Sequence, residues 1–388
     1  MGGRDRPPRL RPRDRGILLD QGPGTPRSGR PDVLINIQAL RGVAAFLVVF
    51  VHLETLASLA GAGPDTFVFG NSGVDLFFVI SGLIMVVTTA GPDASAGRFM
   101  AHRIGRIVPL YWTMTLFVFA VAVVAPSLMQ ATRADPADLV RSLLFIPFEK
   151  ANGLTQPIVF VGWTLNYEMA FYLLFALGLL ARHRLLGLAL TASILLTAVL
   201  AGVVARPTDT LGRFYTSPIV LEFALGMALG LALPLLRPVA WMTRASYPLA
   251  LISFALLIAG PSVWPDVDRF FVFGLPAAIL VACALVMERS GVTVASPLIR
   301  RLGDASYSTY LTHFFVTQAA TKAALALGVA GIWQVSLAIV ATFVMVGAMG
   351  LVVHTIIEKP MSRAARRWLA SSPNGPKRVV APIAAKAP

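Results

Sequence analysis

The sequence predicts an all-α fold, a polytopic bundle of about ten transmembrane helices with both termini cytoplasmic. Three observations carry this. Of 388 residues, 56% are hydrophobic and only 13% charged, about half the charged share of a soluble domain. Apolar stretches long enough to cross a bilayer recur along the whole chain. The basic residues gather in alternate connections, on the side of the basic N-terminus, as positive-inside orientation requires. A transmembrane barrel would instead alternate with period two over short segments.

The apolar stretches run over 35–57, 68–89, 107–126, 161–181, 185–204, 217–236, 246–263, 269–287, 305–327 and 333–357. Arg98, Arg103 and Arg106 lie between the second and third. Arg182 and Arg184 follow the fourth, Arg237 and Arg244 the sixth, and Arg289, Arg300 and Arg301 the eighth. Lys359, Arg363, Arg366 and Arg367 follow the tenth. The opposite connections carry acids such as Asp266 and Asp268. The longest, 127–160, contains an amphipathic piece from Asp138 to Phe148, expected to lie as an interfacial helix.

Residues 1–32, rich in Arg, Pro and Gly, read as a disordered basic cytoplasmic arm and not as a cleaved signal peptide. Residues 33–363 read as one membrane domain and 364–388 as a cytoplasmic tail. The net charge of +14 suits anionic membrane lipids, and without a basic face apart from these flanks no nucleic acid partner is expected. The single cysteine, Cys283, lies in an apolar stretch, so no disulfide framework is expected. No Cys/His zinc spacing, Walker-type loop or Gly-x-Ser-x-Gly elbow occurs, so no metal site is expected.

Function is then read from polar residues that apolar stretches should not contain. Arg41 and His52 are eleven residues apart in the first. Eleven steps of about 100° come to three turns plus about 20°, so they share a helical face, with Gln38 on it. Both are costly in lipid, and this face is expected to line a protein or water-filled interior. The plainer alternative is a snorkelling Arg and a hydrogen-bonded core His. Asp75, near the outer end of the second stretch, is either an interfacial acid or a substrate contact. Arg103 and Arg106, three apart, share a face at the mouth of the third, and paired guanidiniums suit phosphate. Tyr111 and Trp112 form an interfacial belt beyond them. Glu168 lies about a turn and a half inside the fourth stretch, among Trp163, Asn166, Tyr167 and Tyr172. A carboxylate at that depth needs a partner or a function. Ser306, Tyr310 and His313 share a face of the ninth, as a core hydrogen-bond network or as substrate contacts. Glu222 and the His354/Glu358 pair read as structural.

LRGVAAFLVVFVH at 40–52, GVDLFFVISGLIM at 73–85, RIGRIVPLYW at 103–112, GWTLNYEMAFY at 162–172 and SYSTYLTHFF at 306–315, in this order, resemble the acyltransferase-3 family of integral membrane acyltransferases. SLLFIP at 142–147 followed by GWTLNYEMAFY resembles its exopolysaccharide O-acetyltransferase branch. The resemblance implies transfer of an acyl group, usually acetyl from cytoplasmic acetyl-CoA, to a carbohydrate hydroxyl, in the cell (inner) membrane. It matches Arg41 and His52 to the family's paired Arg and His, Arg103 and Arg106 to its basic pair, and Trp163 and Glu168 to its Trp and Glu.

The expected roles follow. His52 deprotonates the hydroxyl or first accepts the acyl group, Glu168 orients it or the acceptor, and Arg41, Asn166 or a tyrosine holds the oxyanion. Arg103, Arg106 and Tyr111 hold acetyl-CoA. Asp75, Trp163, Asn166, Tyr167, Tyr310 and His313 contact the acceptor. Many family members append an extracellular hydrolase-like domain, and none is expected here. A polysaccharide or lipid-linked sugar transporter, a non-catalytic partner of a polysaccharide synthase, and O-acylation of another glycolipid or glycosylated small molecule stay open as alternatives. Contact with polysaccharide-synthesis machinery and self-association stay open too.

Overall fold

A computed structural model describes residues 34–92, 94–128 and 132–371. The expected basic arm, and the expected tail beyond residue 371, lie outside the described residues. Within them the chain is nearly all helical, and each apolar stretch forms a helix. In order these are α1 (Ile35–Val51), α2 (Ser72–Thr88), α3 (Ala96–Val124), α4 (Trp163–Gly178) and α5 (Arg184–Ala205). Then come α6 (Leu221–Ala232), α7 (Ala240–Val263), α8 (Leu275–Arg289), α9 (Ser306–Ala326) and α10 (Ile332–Val353).

Among the described residues, eight helical segments are long and apolar enough to cross a membrane, where about ten were expected. The two others fall short for different reasons. The first stretch does not run unbroken to residue 57. His52 N bonds Val49 O (3.0 Å) and Leu53 N bonds Phe50 O (2.9 Å), the tighter i→i−3 pattern that closes a helix. The chain turns there and resumes as the short helix Glu54–Ser58. α9 has the length but is too polar, and the bundle shields it instead, with Ser306 to Phe314 all buried. The amphipathic piece of the long connection is also shorter than expected. Its helix is Pro136–Leu143, capped by Asp135, and ends where Phe145 takes a φ of 58°.

α2 is the hub. The apolar part of Val68–Thr88 is 78% buried, against 22% for Arg184–Ala205 and for Ala240–Val263, which lie at the periphery. Glycine makes that centrality feasible. A Cβ at Gly82 would collide with the Phe223 carbonyl, and one at Gly226 with the Val79 carbonyl, so the α2 and α6 backbones touch. The start of α1 is pinned from α8. The Glu288 carboxylate accepts the Ile35 and Asn36 amides, the latter at 3.0 Å, placing a negative charge on the helix N-terminus. Asn36 in turn bonds Val292 O (2.8 Å) and Val294 N (2.9 Å). These anchors set the depth at which α1 presents Arg41.

Candidate active site

Two cavities lie end to end in the bundle. The inner one, about 730 Å3, is walled on one side by α2, through Val74, Phe77, Ile80, Ile84 and Met85. Its other side is polar, with Glu168 and Tyr172 of α4 and Tyr307 and Tyr310 of α9. The second, about 1200 Å3, opens at the end of the bundle where α3 begins, among Gln38, His102, Asp304, His354, Glu358 and Lys359. Arg41, Arg103 and Arg106 line both. Three guanidiniums from α1 and α3 therefore form the neck between an exposed vestibule and a half-apolar interior.

Neutral acceptors, not carboxylates, hold two of the three. Arg41 donates to Gln38 Oε1 (3.1 Å), and Gln38 donates to Asp304 (2.7 Å). Arg103 donates to Thr88 (3.1 Å) and lies over the Phe99 and Tyr172 rings, 5.4 and 5.7 Å from their centroids. Among the described residues, none of the three has a carboxylate within ion-pair distance. Glu168 instead accepts from Tyr172, one turn along α4, and from Ser81 (3.3 Å). Glu358 is taken up by Ser308 (2.6 Å) and His354 (2.8 Å), at a π-helical turn spanning His354–Glu358. The neck thus keeps positive charge free for an anionic visitor.

The other expected site residues, Tyr310 apart, sit outside this lining. His52 caps the C-terminal end of α1, half-buried, with its ring 4.9 Å from that of His313 and 5.2 Å from Phe160. It is eleven residues from Arg41, about 16 Å along the α1 axis, and belongs to neither cavity wall. The link runs through α9. Tyr310 lines the inner cavity, bonds Val161 O and Thr164 Oγ1 (both 2.8 Å), and lends its carbonyl to His313 Nδ1 (2.6 Å). Asp75 is fully buried and pairs with Arg269. Tyr167 stacks on Phe214 at 3.7 Å and donates to its carbonyl, with Trp163 against its edge. Asn166 is buried with Oδ1 unpartnered among the described residues. Tyr111 stacks on Phe145, away from both cavities.

Sequence reasoning missed Arg269, Tyr307 and the vestibular position of His354 and Glu358. The one available signal was Arg269, an isolated base at the start of an apolar stretch in an otherwise acidic connection.

Residues 34–352 match the family model described as acyltransferase domain. The chain belongs to the acyltransferase-3 family. The acyltransferase-3 chain is 33% identical over 314 residues to the exopolysaccharide production protein ExoZ of Rhizobium meliloti (strain 1021), covering 77% of this chain and 92% of that one. It is 26% identical over 385 residues to the acyltransferase MdmB of Streptomyces mycarofaciens, covering 88% and 95%. It is 25% identical over 363 residues to the putative peptidoglycan O-acetyltransferase YrhL of Bacillus subtilis (strain 168), covering 84% of this chain and 55% of YrhL. No solved structure matches the chain. The acyltransferase-3 protein is thus a multi-pass membrane enzyme that transfers O-acyl groups.

Proposed function

We propose that this enzyme moves an acetyl group from cytoplasmic acetyl-CoA to a sugar hydroxyl of an exopolysaccharide or its lipid-linked precursor, in the cell inner membrane. The observation that carries the reading is the neck of Arg41, Arg103 and Arg106, shared by two cavities and without ion-pair partners among the described residues. Three unneutralised guanidiniums suit a ligand with several phosphates. Beyond them, a half-apolar interior suits the thin amphipathic arm that carries a thioester. The α2 wall from Val74 to Met85 spans about 16 Å of helix, enough for an extended pantetheine. The printed name of ExoZ, exopolysaccharide production protein, favours the acceptor class.

The basic connections favour a cytoplasmic vestibule and cytoplasmic termini. In that frame 33–363 is the catalytic membrane domain, and the segments either side of it are cytoplasmic. His52 takes the acceptor hydroxyl's proton as the oxygen bonds the acyl carbon and the C–S bond breaks. The proton ends on the departing thiolate. Arg41 lies too far along α1 from His52 to share its reacting centre, so the developing oxyanion is held by Asn166 or a tyrosine hydroxyl, and Glu168 orients the acceptor.

The test is acetyl-CoA consumption by purified, membrane-inserted protein given the polysaccharide repeat unit. Arg103→Ala with Arg106→Ala should raise the KM for acetyl-CoA by at least about tenfold, leaving the KM for acceptor near wild type. An unchanged donor KM would remove the neck from donor binding. Wild-type turnover in folded His52→Ala would remove His52 from the chemistry.

A further inference from the structure

His313 has an unusual residue of bonding capacity. Its Nδ1 lies 2.6 Å from the Tyr310 carbonyl oxygen. A carbonyl only accepts, so Nδ1 carries the hydrogen, and the neutral ring presents Nε2 as a bare lone pair. That nitrogen is buried and has no hydrogen-bond partner among the described residues, in a side chain that is 0% exposed. A histidine serving only the core would have both nitrogens satisfied. The group facing it is His52, with ring centroids 4.9 Å apart and planes tilted by 38°. An N–H···N bond between two imidazoles, about 2.9 Å between nitrogens, places the centroids about 5 Å apart. His52 already has that spacing. It sits where α1 has ended, so its side-chain torsions can align an N–H with Nε2 while the backbone stays in place.

We infer that His313 is the positioning residue of His52. With Nδ1–H locked on Tyr310, Nε2 accepts the N–H of His52 and selects the tautomer whose opposite nitrogen is bare. That nitrogen receives the acceptor hydroxyl's proton as the new C–O bond forms and the thioester C–S bond breaks, and it returns the proton to the thiolate. His313 itself gains and loses no proton. The same Tyr310 that walls the inner cavity holds His313 by its carbonyl, coupling the occupied cavity to the base. The inference rests on His52 being the base.

Steady-state acetyl transfer separates the two ideas. His313→Phe keeps a ring beside Tyr310 and Phe314 but offers no lone pair. It should lower kcat about 10- to 100-fold and leave the KM for acetyl-CoA within about twofold. His313→Gln, whose amide oxygen accepts an N–H, should recover most of the rate. In the His52→Ala background, His313→Phe should add no further loss. Wild-type kcat in His313→Phe, with His52→Ala inactive, overturns the role of His313 alone. Wild-type kcat in His52→Ala overturns the base assignment beneath it. Should His313→Phe fail to insert, imidazole nitrogen-15 shifts of the wild type decide. One tautomer at each ring, with His313 protonated at Nδ1, supports the pairing, and mixed tautomers at either ring overturn it.

Discussion

Asp75 and Arg269, 194 residues apart, form a bidentate pair in which Nε reaches Oδ1 at 3.0 Å and Nη2 reaches Oδ2 at 2.6 Å. The same guanidinium donates to the Asn71 carbonyl at 3.1 Å. The contact ties the start of α2, the hub, to the start of the α8 segment. Asp75 is 0% exposed, so removing its charge breaks the bidentate pair and leaves the guanidinium facing an amide, with Glu222 as its remaining nearby carboxylate. Asp75→Asn should cost about 3–5 kcal/mol, seen as a large drop in the melting temperature of the solubilised protein. Arg269→Lys should rescue little, because a lysine cannot supply the two-pronged fork. A melting temperature within a degree or two of wild type in Asp75→Asn would show that the pair does not hold these helices.

Glu288 makes a second prediction. Its carboxylate accepts the first two amides of α1, which otherwise have no acceptor within the helix. Glu288→Gln keeps the shape and one acceptor oxygen but removes the charge that complements the helix end. It should destabilise the protein by about 1–2 kcal/mol. Because Arg41 lies less than two turns along α1, the KM for acetyl-CoA should rise with it. Thermal melting together with donor titration checks both effects.

These two contacts show what could and could not be read in the chain. Arg41, Arg103, Arg106 and Glu168 were visible because a charge inside an apolar run is costly, and the cost marks the residue whatever surrounds it. What relieves each charge was not visible. Pairing is set by which helices pack together, and Asp75 finds Arg269 and Glu288 finds Ile35 from opposite ends of the sequence. Helical periodicity placed Arg41 and His52 on one face of α1, yet that face meets the cavity at Arg41 and α9 at His52. A period describes rotation about an axis and says nothing of which neighbour stands at each height. The break after Val51 was hidden too, since His52, Leu53 and the short helix beyond keep the composition of the helix they end. α9 was legible as one of the apolar stretches, but its burial was not, since it follows from neighbours that shield eight polar or aromatic residues and Leu311 between Ser306 and Phe314.

The long connection between α3 and α4 should respond to pH through Lys150. Its ammonium donates to Thr132 Oγ1 at 3.1 Å. Burial depresses it to about 8, against a smaller upward pull from Asp138. Below pH 8 both folded and unfolded connections hold the proton, and the folded one carries the full cost of a poorly solvated charge. Between pH 8 and the ordinary lysine value of about 10.4, the unfolded state holds more protons, so the fold of this connection gains stability as pH rises. Lys150→Met should slow amide exchange in 132–158 relative to wild type at pH 7, and the gap should close by about pH 10. A gap of constant size across that range would show that Lys150 titrates as an ordinary surface lysine.

Within the inner cavity, Glu168 and Tyr172 should separate by the step they affect. Glu168 accepts from the Tyr172 hydroxyl and from Ser81, so its carboxylate is already oriented before any ligand enters. If that orientation serves the acceptor, Glu168→Gln should lower kcat by about 100-fold and raise the acceptor KM, with the donor KM unchanged. Tyr172→Phe removes one of the bonds that aim Glu168 and leaves the ring beneath Arg103. Its loss in kcat should be smaller, about tenfold, and it should vanish in the Glu168→Gln background because the two act as one unit. A Tyr172→Phe effect that persists undiminished without Glu168 would instead assign the tyrosine hydroxyl its own contact with the reacting acyl group.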